Sequence, residues 1–403
     1  MEKYTVIIPT RDRADMLEST LRTCMRQTYE NYEIIVSDNC STDNTKEVVD
    51  RCNDPRIRYI IPDRRLSMSG NFEFALRHAE DGFVMCIGAE DGIFPDAIEY
   101  VDTIVRKHGV DAVSCRQATY VWPNFPDRAI AGKLTFGGWR DDVEIRRPDE
   151  WMKKTLNFQV HYCFDLPNLY CGFVHKRIIN KAYKGGTYFR SITPDAYAAF
   201  ATAIFVDKYA FSHKPFSIAG ASAKSNGASA MYPTGDKSES NKFYAENDIE
   251  FCDGFVNCPS YEIVMAEAFA KLALAFPELC APYKIDYVAM LHTALANANE
   301  KTVDDIRTAA SKMAAYFKVK IEPSQSRRKS LSLITKLNNM FHALHGIITA
   351  ERCIAIQRSE DIGVRNIDDA ALVAHVLMQH HTSDAFTTTK SMIRERLKAK
   401  IGL

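Results

Sequence analysis

Two neighbouring carboxylates, Glu90 and Asp91, close an apolar run and precede a glycine in CIGAEDGIFP, residues 86–95. Paired carboxylates at one edge suit a hard divalent cation, Mg2+ or Mn2+, which prefers oxygen ligands and shares them with a substrate diphosphate. An ordinary acidic turn is the competing reading, because Asp-Gly pairs are common turn chemistry. Earlier, Thr10-Arg11-Asp12-Arg13 offers two guanidinium groups that can fork onto phosphate oxygens. Asp38-Asn39 offers a carboxylate able to accept from a base N–H or a ribose hydroxyl. Farther along, Asp195 follows Pro194. That proline suits the first position of a helix, which leaves Asp195 in the first turn at the positive end of the dipole. There it is either a plain helix-start carboxylate or a general base. Lys224, Ser225 and Asn226 lie in a stretch of small hydroxyl and amide residues suited to a loop over phosphates, though the composition also fits a generic loop.

Elements of regular spacing must position these groups. Tyr4–Pro9, Tyr32–Ser37, Ile57–Ile61 and Phe83–Ile87 are short apolar runs rich in β-branched residues and read as buried strands. Between them, helical periodicity covers Ala14 to about Gln27, the stretch from Ser41 through Val49, and Ser69 to Ala79. A helix to about His108 and a strand over Val110–Cys115 follow. Strand–helix alternation at this spacing implies right-handed crossovers and a mostly parallel, Rossmann-like sheet flanked by helices. Three strand ends, at Thr10–Arg13, Asp38–Asn39 and Gly88–Asp91, therefore converge on one edge, where ligands bind in open α/β sheets. Two arginines and two acidic sites in that crevice fit a nucleoside diphosphate.

Composition sets the limits. The chain has 403 residues, 46% hydrophobic and 25% charged, which is globular and long enough for two domains. Fifty-one basic residues balance fifty-one acidic ones, so bulk charge gives no reason to expect a nucleic-acid partner. Eleven scattered cysteines without metal-ligand spacing point to reduced, mostly buried thiols. With no signal-peptide pattern at Met1-Glu2-Lys3-Tyr4 and no apolar run near the ~20 residues of a membrane span, the expectation is a cytoplasmic protein.

The order VIIPTRDR (residues 6–13), QTY (27–29), YEIIVSDNCSTDNT (32–45), SGNF (69–72) and the Glu90-Asp91 stretch resembles the opening of the family-2 glycosyltransferases. The resemblance covers roughly the first hundred residues. It implies the GT-A fold, a nucleotide-sugar donor with UDP favoured, a divalent metal, and inversion at the anomeric carbon. By the same resemblance, Pro9, Thr10, Arg11, Arg13, Asn39, Asn71 and Glu90 lie at the nucleotide-sugar and Asp38 reads the base. Glu90-Asp91 falls where the family has its acidic metal motif, with Asp91 the principal ligand. One departure stands out: Ala89 occupies a place where relatives of this type carry an aspartate. Asp195 lies 195 − 91 = 104 residues beyond Asp91, a separation that resembles the family's distance from metal motif to catalytic base.

Trp122, Trp139 and Trp151 are aromatic faces that suit sugar rings or, more commonly, core packing. The catalytic domain is expected to end near residue 240. Residues 241–403 then read as helical, with apolar periodicity over Val264–Phe276, Tyr287–Ala296, Val303–Phe317, Leu331–His345 and Asp368–His380. Basic residues interleave with apolar ones over Lys390–Leu403, a pattern for docking on an anionic membrane face or for dimerisation. The reading is a cytoplasmic enzyme, peripheral at the inner face of the membrane if that helix docks. It would move a sugar to a glycan or lipid-linked acceptor in surface polysaccharide synthesis. Two other readings are a catalytically lapsed relative that binds nucleotide or glycan, and a nucleotidyltransferase. The last would need a glycine-rich loop after the first strand, which Thr10–Arg13 lacks.

Overall fold

A computed structural model describes residues 1–225, 227, 238–321 and 352–380. The expected alternation is present: β1 (Tyr4–Thr10), α1 (Ala14–Met25), β2 (Tyr32–Asp38), α2 (Thr45–Cys52), β3 (Ile57–Ile60), α3 (Met68–His78) and β4 (Phe83–Cys86). Next come β5 (Gly92–Ile93), α4 (Ala97–His108) and β6 (Ala112–Cys115). The middle of the chain adds β7 (Ala118–Val121), β8 (Leu134–Trp139), β9 (Val143–Arg146) and α5 (Pro148–Leu156). It continues with β10 (Phe173–His175), α6 (Lys176–Ala182), α7 (Pro194–Ala203), β11 (Tyr209–Ser212) and β12 (Ser217–Ala221).

The main sheet runs β3-β2-β1-β4-β10-β6-β11-β9. Its first four strands are parallel, while β10 enters antiparallel between β4 and β6. Nearly every residue of β1, β2 and β4 is buried, because helices cover both faces. Val6, Ile8, Ile34 and Val36 face one core cluster with α1, whereas Ile7 and Ile35 face another with α3 and α7. The period-two alternation thus feeds two layers.

A second sheet, β13-β8-β7-β12-β5, contains β13 (Arg352–Ile356). Only helices were expected after residue 240, and helices do occupy 261–275, 287–297, 303–317 and 367–380. Residues 352–380, however, return to the N-terminal half. β13 pairs antiparallel with β8, and the helix over 367–380 packs Ile367, Ala370 and Ala374, with Val364 just before it, against Met16, Phe94 and Tyr120. Arg26 at the end of α1 forks onto Asp368 with two hydrogen bonds of 2.9 Å. β13 has only five residues and opens on Arg352, so it is too short for periodicity to separate it from buried helix. Leu331–His345, His381 and Lys390–Leu403 lie outside the described residues.

No described helix is long and apolar enough to cross a membrane. The described cysteines are free, and most are buried. Trp139 is fully buried and Trp122 nearly so, and Arg146 lies 3.8 Å over the ring of Trp151. All three tryptophans are therefore engaged in packing.

Ile367 is fully buried and meets the backbone of β5 at Gly92. Ile367→Ala should destabilise the whole chain by about 2–4 kcal/mol in urea titration, as expected for a buried truncation. A separate low-denaturant transition, leaving the N-terminal half intact, would show that 352–380 is only loosely attached.

Candidate active site

Loops at the carboxyl ends of β1, β2 and β4 surround a cavity of about 580 Å³, within the usual range for small-molecule sites. Its wall includes Pro9, Thr10, Arg11, Arg13, Asn39, Asn71, Glu90, Asp195 and Ser225. The two arginines are presented by an interlocked turn. Asp12 has a left-handed backbone, with φ 51°, and accepts from the backbone N–H and hydroxyl of Thr42 at 2.7 and 3.1 Å. Its own N–H donates to Ser41 Oγ at 2.8 Å. With Asp12 held outward, Arg11 and Arg13 on either side reach the cavity wall. Arg11 pairs there with Glu246, Arg65 lies 3.6 Å from the same carboxylate, and Arg13 donates to the carbonyl of Lys224.

The two adjacent carboxylates have different surroundings. Glu90 faces the cavity and accepts the hydroxyls of Ser222 and Ser225, each at 2.5 Å. Asp91 is 2% exposed and is not part of the cavity wall. Its Oδ1 accepts the Gly220 N–H at 2.7 Å, and its Oδ2 accepts the Gly88 N–H at 2.8 Å and the Tyr170 hydroxyl at 2.5 Å. Burial, then the neighbouring Glu90 charge, pushes the Asp91 carboxyl up to about 7. Among the described residues no group of three His, Cys, Asp or Glu side chains is arranged to hold a metal. To reach Asp91 a cation would have to displace these donors from a closed, fully bonded site. Glu90 fits a single-carboxylate contact, since Mg2+ commonly takes one or two carboxylates and draws its other ligands from phosphate and water.

Asp38 is also buried at the end of β2. Its Oδ1 accepts the Ser41 N–H at 2.9 Å and its Oδ2 the Tyr59 hydroxyl, so Asn39 rather than Asp38 forms the cavity wall. Asn39 is fixed by reciprocal bonds of 2.8 Å to the backbone of Leu66, and Asn71 reaches Ser37. Lys224 turns away to Asp15 at 3.0 Å. Asn226 lies outside the described residues.

Asp195 occupies the first turn of α7 with Pro194 at its start, as the sequence indicates. The turn before it is anchored from two sides: Ser191 donates to the buried Glu267 at 2.8 Å, and the Ser191 carbonyl accepts the Ser69 hydroxyl at 2.8 Å. Tyr162 donates to Asp195 Oδ2 at 3.0 Å. Desolvation raises the Asp195 carboxyl, while the Tyr162 hydroxyl and the helix-start N–H groups hold it down. The cavity therefore carries arginines and Glu90 together with a partly desolvated carboxylate on α7. That arrangement can bind a phosphorylated ligand and take a proton from a hydroxyl.

Tyr162, Tyr170, Glu246 and Ser222 were not anticipated. Nothing in their spacing marks them, because each acts through a single hydroxyl or carboxylate brought in by a loop.

Residues 5–164 match the family model described as Glycosyl transferase family 2. A GalNAc(5)-diNAcBac-PP-undecaprenol beta-1,3-glucosyltransferase of Campylobacter jejuni is 34% identical over 110 residues, 27% of this chain and 35% of the relative. An Escherichia coli UDP-Glc:alpha-D-GlcNAc-diphosphoundecaprenol beta-1,3-glucosyltransferase is 30% identical over 91 residues, 23% of this chain and 36% of the relative. The chain thus spans little more than a third of the length of these relatives. The solved structure of S. aureus TarS with UDP-GlcNAc superposes over 79% of this chain and 92% of that one, at 15% identity and a TM-score of 0.46.

Asp91→Ala would leave two buried N–H groups and a hydroxyl unpaired, and should cost roughly 2–5 kcal/mol of stability in urea titration. Glu90→Ala, at the cavity wall, should cost less than about 1 kcal/mol in the same titration. Equal and small losses for both would return Asp91 to the list of ligand-binding groups.

Proposed function

With residues 5–164 carrying the family-2 glycosyltransferase sequence, we propose that the chain is an inverting transferase. It moves a sugar from a nucleoside diphosphate donor, UDP-sugar favoured, to a hydroxyl acceptor on a glycan or lipid-linked glycan in surface polysaccharide synthesis. The observation that carries this reading is one cavity of about 580 Å³ faced by Arg11, Arg13, Asn39 and Glu90 and also by Asp195. The names of the matched bacterial relatives support the reaction class and the lipid-linked acceptor.

Donor phosphates would lie against Arg11 and Arg13 and would replace Glu246 as the partner of the Arg11 guanidinium. Asn39, Asn71, Pro9 and Thr10 would line the nucleoside, with Asp38 fixing the turn that presents Asn39. Asp195 removes the proton from the acceptor hydroxyl as that oxygen attacks the anomeric carbon. The bond from that carbon to the diphosphate oxygen breaks, and its electron pair leaves with the nucleoside diphosphate. Attack opposite the leaving group inverts the centre without a covalent enzyme intermediate. A Mg2+ or Mn2+ ion would be held by Glu90 and would neutralise charge on the departing diphosphate.

A donor-binding protein without turnover is the second reading. It is favoured by the engaged oxygens of Asp91, which leave Glu90 as the cavity-facing member of the pair. Slow hydrolysis of a bound UDP-sugar separates the two, since only a transferase catalyses it.

Asp195→Asn should reduce transfer by about 10²–10⁴-fold, as for loss of a general base, while calorimetry shows unchanged donor affinity. Unaltered turnover would refute the mechanism. The pH profile gives a finer check. Asp195 is raised in the folded protein, so its basic form is lost as pH falls through a value above the ordinary ~3.9. Tyr162 favours the charged form, so Tyr162→Phe should move the acid limb of kcat/KM to higher pH. A limb that stays in place would detach Tyr162 from the base.

A further inference from the structure

A second cavity of about 270 Å³ adjoins the first and shares Thr119 and Tyr170 with it. Building on the transferase reading, we propose that this cavity is an acceptor subsite that takes one neutral pyranose ring, stacked on Phe164. The volume lies at the small end of ligand pockets, which suits one sugar ring better than a nucleotide. Its wall combines an aromatic face with amides: Phe164, Gln117 and Asn168. A pyranose presents the matching surfaces, an apolar C–H face and a rim of hydroxyls. Two charged groups share this wall and both have partners within the protein: Asp165 is bound to Arg146 at 2.9 Å, and Arg116 donates to the Gly138 carbonyl at 2.9 Å.

Phe164 is 50% exposed at the rim of this cavity. The His161 ring centroid is 5.6 Å from that of Phe164, and the Tyr162 centroid is 5.2 Å away. The same short stretch therefore serves both cavities. Tyr162 turns inward, with φ 52°, where its hydroxyl meets Asp195 and its ring stands edge-on to Tyr261 at 5.7 Å. Phe164, two residues on, lines the second cavity. An acceptor whose penultimate ring rests on Phe164 would be aligned by the same stretch that positions the base, so that its terminal hydroxyl projects past Tyr170 toward Asp195.

The test is saturation-transfer NMR on the full chain with UDP present. The probes are methyl β-D-glucopyranoside, laminaribiose, chitobiose and lactose. At least one disaccharide should receive saturation on its ring protons. Phe164→Ala should weaken that binding about two- to tenfold, the loss expected for an aromatic contact. Gln117→Ala should act in the same direction, and keeps the test open if Phe164→Ala does not fold, which circular dichroism will show. No transfer to any disaccharide, or transfer indifferent to both folded variants, overturns the subsite. Failure of the underlying transferase reading is visible separately, as absence of UDP signals in the same samples.

Discussion

The buried carboxylate of Asp91 is the interaction on which the site depends. Three donors converge on it from three segments: the Gly88 N–H after β4, the Gly220 N–H in β12, and the Tyr170 hydroxyl before β10. These segments belong to both sheets, so one side chain fixes how the second sheet sits on the first. The contact demands close approach. A Cβ at Gly220 would fall 1.9 Å from the Glu90 carbonyl oxygen, so only glycine can bring this N–H to Asp91. The neighbouring carbonyls are held as well, those of Ala89 and Asp91 by the Thr20 hydroxyl and that of Glu90 by the Trp122 indole.

That saturation separates the duties of two adjacent acids. A turn clamped on every side still directs one carboxylate at the cavity, and Glu90 carries it. Its serine partners, Ser222 and Ser225, donate hydroxyls rather than charge, so an incoming cation competes with neutral hydrogen bonds and not with an ion pair. At Asp91 the competition would be with buried N–H groups that have no alternative partner, and leaving such groups unpaired costs more than the pairing is worth.

How far the sequence could be read follows from the range over which each feature is encoded. β1, β2 and β4 are apolar runs with nearly correct limits, since burial on both faces writes itself into consecutive residues. Pro194 and Asp195 were legible because a helix start is a local event. Arg11, Arg13, Asn39 and Glu90 could be gathered at one edge because parallel crossovers leave the carboxyl ends of successive strands together, whereas Asn71, in α3, was named from the family resemblance. The burial of the Asp91 carboxylate was not legible, for the opposite reason. Whether an acid at a strand end points to solvent or to the interior depends on Gly220 and Tyr170, 129 and 79 residues distant, and no local pattern reports that. β13 was missed likewise: five residues gain their meaning from β8, more than two hundred positions earlier.

The environment of Asp195 shows why this carboxylate suits proton removal better than the other acids nearby. Asp38 and Asp91 are each locked by two or three fixed donors away from the cavity wall, whereas Asp195 lines it. Asp195 has lost water without gaining comparable compensation. One tyrosine hydroxyl and the N–H groups of its own helix start oppose the desolvation, and desolvation prevails. A carboxylate raised in this way is a stronger base than one in water. Its anchoring comes from Glu267, through Ser191, on a helix of the C-terminal region. The helical region beyond residue 240 therefore contributes directly to the geometry of the base, and cannot be treated as an appendage to an already complete α/β core.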